Sequence, residues 1–172
     1  MQGKYYQNTI TLRRFKMRQE TKIINYYQFD ELSENAKQKA IENLYDLNID
    51  YEWWESVYED AERIGCKITG FDTDRGSYCE MTLDYETSVI EAILKNHGET
   101  CETYKIAKSF EKTILDSDGN IDSDKAAELK QELQEEYLSA LRKEFEYLTS
   151  EDAIKETIEC NEYEFNKDGK MI

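Results

Sequence analysis

The chain contains no proline and only seven glycines among its 172 residues. Proline and glycine most often end helices and strands, so few positions in this chain force a break. Glutamate, lysine, alanine and leucine, which favour helices, are frequent between those positions. The sequence therefore predicts an α+β fold, a mainly helical single domain with one or two small antiparallel β-hairpins.

Five stretches place apolar residues at helical spacing, besides the tryptophan-containing stretch considered below. The first follows a capping residue, Ser33, and is expected to end near Asn48. The longest runs from about Asp124 to Leu148, where leucine or an aromatic residue recurs every four positions. The others are expected to begin at Thr87 or Ser88, at Thr100, and at Thr149 or Ser150.

Two stretches, CKITGFD and YCEMTLDY, alternate apolar and polar residues and are separated by a short turn, which predicts a β-hairpin. The last residues, YEFNKDGKMI, predict a second hairpin with Asp168 and Gly169 at its turn. Residues 1–29 are also strand-like, and Met17 offers an internal start. We divide the chain into a basic N-terminal extension or strand, residues 1–23, and an acidic α+β domain, residues 24–172.

The run DYEWWESVYEDAERIG, residues 50–65, carries two adjacent tryptophans among six carboxylates. On a helix, Trp53 and Trp54 would flank an apolar face, and Gly65 would lie just past the helix end. The tryptophans are therefore expected to anchor the helix in the core rather than to form a binding platform. Four glutamates would form an outward stripe about 15 Å long, at ~1.5 Å of rise per residue. They are Glu52, Glu55, Glu59 and Glu62.

The net charge of −16 is distributed unevenly. Residues 1–24 carry six basic side chains and one acidic one, a net +5, which leaves −21 for the remainder. A field of that sign repels nucleic acid and anionic membranes and attracts basic protein surfaces and cations. We interpret the basic N-terminus as an edge strand or an arm for a partner, with contact to nucleic acid as its alternative. Elsewhere we expect no direct contact with nucleic acid.

The four cysteines are widely spaced and there is one histidine, so the ligand pairs of a zinc site are missing. We expect free thiols in a reducing compartment. No run approaches the ~18 apolar residues of a membrane span. No apolar stretch follows the basic N-terminus, so we do not expect it to be a secretory signal. We therefore expect a cytoplasmic protein with no membrane contact, no metal and no cofactor.

The sequence contains no phosphate-binding loop, dinucleotide fingerprint, catalytic triad or nucleophile elbow, which argues against an enzyme. The loop Asp116–Asp124 approaches the calcium loop of an EF-hand but lacks its first ligand and its final glutamate. We interpret it as a structural loop, with a weak cation site as the alternative. His97 precedes a glycine, which predicts the end of a helix, with a general base as the alternative.

The turn between the first two strands holds Asp72, Asp74 and Arg75. Aspartates suit a hairpin turn, and we favour this interpretation. The alternative is contact with a partner through Arg75, whose planar guanidinium fits a carboxylate or a phosphate.

The acidic surface has two interpretations. It could be a solvated face that keeps the protein from associating. Alternatively, carboxylates ordered on a rigid helix present a charge pattern like a phosphate backbone, and they could occupy the lysine- and arginine-lined groove of a nucleic-acid-binding protein. The candidates are the four glutamates of the tryptophan-containing stretch, followed by Glu128, Glu132, Glu135 and Glu136 of the long helix.

The segment FDELSENAKQKAIENLYDLNIDYEWWESVYEDAERIG, residues 29–65, resembles a family of small proteins carried by phages and mobile elements of gut bacteria, often labelled antitoxin-like. The shared elements are F-x-E-L-S-x-x-A-K, D-Y-E-W-W and Y-E-D-A. The segments ITGFDTDRGSYCE, NHGETCETYK and EYLTSEDAIKETIE are also similar to that family, so the resemblance covers most of the chain from about residue 24.

The resemblance implies a counter-defence role, of which the anti-CRISPR proteins directed at Cas9 are the nearest functional class. Cas9-type effectors carry a positively charged heteroduplex channel and a PAM-reading site, and an acidic protein of this size could cover either. We therefore expect a non-catalytic inhibitor of a host defence nuclease or its guide-RNA complex. The alternative is an antitoxin-like protein that neutralises a basic toxin.

Overall fold

The computed structural model describes residues 25–172, and helices dominate this part of the chain. The prediction of a basic strand or extension over residues 1–23 therefore lies outside the described residues, as does Met17. The described residues form a mainly helical α+β domain, which confirms the predicted fold class. The elements in chain order are a 3-10 helix (Phe29–Glu31), α1 (Glu34–Asn43), α2 (Glu55–Arg63), β1 (Cys66–Asp72), β2 (Tyr78–Leu83), α3 (Glu86–Asn96), α4 (Glu102–Phe110), α5 (Ser123–Leu148) and α6 (Glu151–Cys160).

The first residues of the helices show which of the predicted N-cap residues are correct. The hydroxyl of Ser33 accepts a hydrogen bond from the N–H of Ala36, and the hydroxyl of Ser150 caps α6 in the same way. Both caps were predicted. The predicted Thr or Ser caps of α3 and α4 are wrong, because Tyr85 and Cys101 occupy those positions without a side-chain hydrogen bond.

Helix α1 ends five residues earlier than predicted, and the chain turns before Asn48. The N–H of Leu44 bonds the carbonyls of both Ala40 and Ile41, which closes the last turn of the helix. The buried Asn48 side chain then donates to the carbonyl of Leu148, at 3.1 Å. This long-range contact, which local periodicity cannot reveal, diverts the chain out of the helix.

Helix α2 is shorter than predicted, because Glu52 and both tryptophans precede it. The N–H of Trp53 bonds the carbonyl of Tyr51 in a tight turn, and Trp54 is the residue before the first helical turn. The predicted end is confirmed, since Gly65 follows the helix with a φ of +79° that favours glycine.

Strands β1 and β2 form the predicted antiparallel hairpin, pairing Cys66 with Leu83 and Asp72 with Tyr78. An irregularity between Ile68 and Gly70 interrupts the register. The second predicted hairpin is present in a short form, because Phe165 bridges Met171 and the Asn166 N–H donates to the carbonyl of Lys170 across the predicted turn at Asp168 and Gly169. Phe165 also bridges Tyr27 and is fully buried, so this hairpin packs against the first described residues.

Two clusters of buried side chains hold the described residues together. The large core lies between α2, α3, α4, α5 and the inner face of the hairpin. Its buried members are Ala61, Ile64, Cys66, Ile68, Cys79, Met81, Val89, Ile90, Ile93, Ala107, Phe110, Ile114, Leu129, Leu133, Tyr137 and Leu141. The small core joins the 3-10 helix, α1, α6 and the C-terminal segment. Its buried members are Phe29, Leu32, Ala36, Ala40, Ile41, Ile154, Ile158 and Phe165.

Helix α5 is the central element, since it packs against β2, α4, α2 and α6. The predicted four-residue recurrence of apolar side chains places Leu129, Leu133, Tyr137 and Leu141 in the large core. Of the helices between residues 25 and 172, none combines the length and apolar character that crossing a bilayer requires.

Candidate functional site

The exposed face of α2 carries Glu55, Glu59 and Glu62, and all three side chains are exposed. At 100° per residue, these positions fall within about 60° of one another around the helix. The acidic residues therefore form one face, as predicted. The stripe on the helix is about 10 Å long at ~1.5 Å of rise per residue, shorter than the predicted 15 Å, because Glu52 is exposed in the turn before the helix.

An aromatic cluster fixes the start of this helix. The rings of Trp53 and Trp54 are 5.7 Å apart, and each lies 5.6 Å from the ring of Phe71 on β1. Trp53 also lies 5.6 Å from Phe145 on α5. Edge-to-face aromatic pairs at such distances contribute about 0.5–1.5 kcal/mol each beyond the burial of apolar area. The tryptophans are half-buried against the large core, which confirms the prediction that they anchor the helix.

Few basic side chains of the protein itself neutralise the carboxylates of the α2 face. Glu59 lies 3.9 Å from Arg63, but both side chains are more than 60% exposed, and such pairs contribute about 0–1 kcal/mol. Within residues 25–172, no lysine or arginine nitrogen lies within 4.0 Å of the carboxylates of Glu55 or Glu62. The face therefore keeps its charge available to a partner.

The four candidate glutamates of α5 do not form a second uniform stripe. Glu128 and Glu135 are exposed, yet the ammonium of Lys125 lies 2.5 Å from Glu128 and the amide of Gln131 donates to Glu135 at 2.9 Å. Both carboxylates thus already have partners on their own helix. They are weaker candidates for a docking surface than the α2 face.

The other two glutamates of α5, Glu132 and Glu136, are half-buried. They are less accessible to a partner than the glutamates of α2, because α5 is covered by neighbours on several sides. Glu136 instead lines a cleft of about 440 Å³ together with Asp60 of α2. The acidic residues of the two helices meet at this cleft and not along a common outer face.

The hairpin turn holds the remaining candidates. The carboxylate of Asp72 accepts from the N–H of Asp74 at 2.7 Å, which closes the turn. Asp74 and Arg75 are exposed. The guanidinium of Arg142 on α5 donates to the hydroxyl of Ser77, so the turn is attached to the central helix. The turn interpretation of Asp72 is supported, whereas Asp74 and Arg75 remain accessible to a partner.

The cleft contains a polar network that sequence reasoning missed. Nδ1 of His97 lies 2.7 Å from the hydroxyl of Thr103, and its Nε2 lies 3.6 Å from the carboxylate of Asp60. The hydroxyl of Tyr137 donates to the other oxygen of Asp60 at 2.9 Å. His97 ends α3, as predicted, while the other three residues come from α2, α4 and α5. No local motif links four residues on four separate helices.

The geometry of this network differs from that of a nucleophilic catalyst. A hydroxyl, an imidazole and a carboxylate in series are the components of a nucleophilic catalyst. However, Thr103 is only 8% exposed, and the separation of Nε2 and Asp60 exceeds a hydrogen bond. Burial, reinforced by the charge of Asp60, raises the pKa of the Tyr137 phenol, so its hydroxyl remains a donor. One hydrogen bond of the cleft joins the end of α3 to α4, and the other joins α2 to α5.

The loop Asp116–Asp124 is held by its own hydrogen bonds. The carboxylate of Asp116 accepts from the N–H groups of Asn120 and Asp118, both at 2.9 Å, and these bonds lower the pKa of Asp116. The carboxylate of Asp122 caps α5. These contacts support the interpretation as a structural loop. Among residues 25–172, no group of three His, Cys, Asp or Glu side chains is placed to hold a metal ion.

Comparisons of the chain with protein-family models, with curated proteins and with solved structures find no match. The resemblance to the phage-borne family therefore stays a prediction.

Proposed function

We propose that this protein is a non-catalytic inhibitor of a host nucleic-acid-binding defence nuclease of the Cas9 type. It acts in the cytoplasm of a bacterial host and uses its acidic surface to compete with nucleic acid for a basic groove. The resemblance suggests the class of target, and the acidic surface suggests the mode of binding.

The observation that carries the proposal is the acidic face of α2, formed by Glu55, Glu59 and Glu62. Their positions are separated by about 6 and 4.5 Å along the helix axis. Phosphates along one strand of DNA are about 3.4 Å apart along its axis, so the glutamates are spaced about 1.3 to 1.8 times as widely. The aromatic cluster holds this helix against the large core, so little conformational entropy is lost when the face binds.

A groove that binds nucleic acid concentrates lysine and arginine side chains, which attract any anion of suitable shape. The described residues carry the −21 net charge that remains when residues 1–24 are excluded. This field accelerates association with a basic groove, and the ordered carboxylates of α2 provide the local contacts once the two proteins meet.

The test is a cleavage assay and a gel-shift assay with a guide-loaded Cas9-type nuclease, at 50 and 200 mM salt. We expect salt-sensitive inhibition by the intact chain. The triple variant Glu55→Gln, Glu59→Gln, Glu62→Gln should bind about 10- to 100-fold more weakly, since three charge pairs of about 0.5–1 kcal/mol each are lost.

The matched control removes three exposed carboxylates from other elements, through Glu91→Gln, Glu156→Gln and Glu159→Gln. It has the same net charge as the α2 variant. Weaker binding by the α2 variant than by the control would therefore show that binding requires the α2 face and not only the net charge. Equal losses would contradict docking through α2. Absence of binding and undiminished cleavage with several Cas9 orthologues would refute the nuclease as the target. Suppression of a basic toxin would instead support the antitoxin-like alternative.

A further inference from the structure

The acidic face of α2 lies in the longest stretch of the chain that lacks a basic residue. Residues 40–62 contain eight carboxylates and no lysine or arginine. Seven of these eight side chains are exposed. Among residues 25–172, the carboxylates of the α2 face lie within 4.0 Å of one basic side chain, that of Arg63. A helix face with this charge attracts a basic ligand.

The chain itself contains a segment of the opposite charge. Arg13, Arg14, Lys16 and Arg18 fall within six consecutive positions, with no carboxylate among them. No other six consecutive residues of the sequence contain four basic side chains. We call residues 13–18 the basic segment. Its charge complements that of the α2 face, and arginine forms paired hydrogen bonds with carboxylates.

The connection between the basic segment and the described residues is long enough for the two to meet. Tyr27 bridges Phe165 and packs on the small core, and Leu47, which precedes α2, packs on the same core. Arg18 is nine residues before Tyr27, so the chain permits any separation of the two up to about 30 Å. Domains of about 150 residues have a radius of gyration of about 15 Å, so α2 lies within this reach.

We propose that the acidic face of α2 binds the basic segment of its own chain, and that a basic partner has to displace this segment. A tether of this length gives the segment an effective concentration in the millimolar range. Exposed charge pairs are individually weak and are screened by salt, so the contact is reversible. The proposal deepens the proposed function as a regulation of the same face, and it rests on that function for the identity of the competing partner.

Carbodiimide cross-linking of the full chain, followed by mass spectrometry, tests the contact directly. The reagent joins a lysine amine to a carboxylate that touches it. We expect Lys16 to couple to Glu55, Glu59 or Glu62 at about 50 mM salt. Most of this coupling should be lost at about 500 mM, where the Debye length falls below about 5 Å.

Glu159 provides the matched comparison. It is exposed and lines a pocket with Gln28 and Phe29, which follow the basic segment in the chain. Reach alone would therefore favour coupling of Lys16 to Glu159. Coupling to Glu159 as frequent as coupling to the α2 glutamates would overturn the proposal. A mixture of ¹⁵N-labelled and unlabelled chains identifies the occupant, since cross-links between labelled and unlabelled peptides would assign the face to a second copy and overturn it too.

A displacement assay tests the regulation with a peptide of ten lysines as the basic ligand. Trp53 and Trp54 are the two tryptophans of the chain and directly precede α2, so their fluorescence reports binding at this face. The variant Arg13→Gln, Arg14→Gln, Lys16→Gln, Arg18→Gln should bind the peptide about 2- to 10-fold more tightly, because the competing segment is removed.

The control for charge is Lys39→Gln, Lys95→Gln, Lys112→Gln, Lys167→Gln, which removes four exposed basic side chains from other elements. It has the same net charge as the variant of the basic segment and should gain less affinity. An equal gain in the two variants would contradict the proposal. The gain should also disappear when the three α2 glutamates are replaced by glutamine, and its persistence there would show that the segment does not act on this face.

These measurements do not involve a nuclease. If Lys16 couples to α2 and nuclease cleavage is undiminished even by the variant that lacks the basic segment's charges, the contact within the chain is upheld and only the proposed target is refuted. If that variant inhibits cleavage no better than its charge-matched control, the regulation is refuted and the target is retained.

Discussion

The large core and the small core of this protein are assembled in different ways. The large core is formed by residues between Ala61 and Leu141, so its elements follow one another along the chain. The small core joins residues 29–41 to residues 154–165, which are separated by the whole of the large core. Helix α2 packs on the large core, whereas the segment between α1 and α2 lies where the two cores meet.

Both cores are therefore needed to position the candidate docking surface. The large core sets the orientation of α2 through the aromatic cluster. The small core holds the segment between α1 and α2, since Asn48 donates to Leu148 and accepts from the hydroxyl of Thr157 on α6, at 2.8 Å. Weakening the small core should therefore disturb the segment between α1 and α2 before it disturbs the acidic face of α2.

The largest expected effect comes from Gly169→Ala, which breaks the small core selectively. Gly169 has a φ of +84°, and a Cβ there would lie 2.1 Å from the carbonyl oxygen of Ala36. We expect a loss of about 2–4 kcal/mol in the free energy of unfolding, from backbone strain and from displacement of the C-terminal turn. Urea denaturation measures the loss, and hydrogen exchange should show earlier opening of α1 and α6 than of α5.

The matched control is Gly119→Ala. Gly119 also has a φ of +84°, but a Cβ there would have no neighbour within 4 Å. It should cost only about 1 kcal/mol, the strain of placing an alanine in a left-handed conformation. Equal losses in the two variants would show that the contact of Gly169 with α1 is unimportant for the small core.

Asn48→Ala should have an intermediate effect, because it removes the link between the cores. The variant leaves the carbonyl of Leu148 and the hydroxyl of Thr157 without their Asn48 partner, and we expect a loss of about 1–3 kcal/mol in the free energy of unfolding. The two cores should unfold less cooperatively. Hydrogen exchange measured separately for α1 and α5 tests this. The exposed Asn35→Ala serves as control and should stay within about 0.5 kcal/mol of the unmodified chain.

The last expected effect, which is absent at neutral pH, is an alkaline loss of stability that involves the large core. Burial raises the pKa of the Cys66 thiol to about 12. The folded state therefore holds this proton more tightly than the unfolded chain, where a thiol has a pKa of about 8.5. The stabilisation is complete below pH ~8.5 and is lost as pH rises through the folded value, with a slope of about 1.4 kcal/mol per pH unit.

Urea denaturation at several values between pH 8.5 and 11 measures this slope. It should become shallower in Cys66→Ala and remain unchanged in Cys160→Ala, since Cys160 is exposed. An unchanged slope in Cys66→Ala would contradict the assignment of the alkaline loss to this thiol. Burial also raises the pKa of Cys79 to about 11, so part of the slope should remain in Cys66→Ala.

Much of the fold could be predicted because its signals are local. The four-residue recurrence in α5, the serine caps of α1 and α6, and the alternation in the hairpin all act within a few residues. The errors occurred where distant contacts decide the local structure. The start of α2 depends on Phe71 and Phe145, and the end of α1 depends on Leu148 and Thr157.

The candidate site was predictable to a smaller extent. Helical periodicity correctly placed Glu55, Glu59 and Glu62 on one exposed face. It could not show that Glu132 and Glu136 are covered, because burial on α5 depends on which elements pack around it. The position of the segment between α1 and α2 depends on a contact between residues about 100 positions apart, which no single-sequence pattern reveals.

The pairing of Phe165 with Tyr27 has a consequence for synthesis on the ribosome. Translation delivers the chain from its N-terminus at about 5–20 residues per second. The large core has all of its buried side chains once Leu141 has emerged. Phe29 and Ile41, although made much earlier, must wait for Ile154, Ile158 and Phe165 before they can be buried. The nascent chain therefore exposes an unfinished apolar surface until Phe165 has emerged, and a product truncated before that residue would keep the surface open to chaperones and proteases.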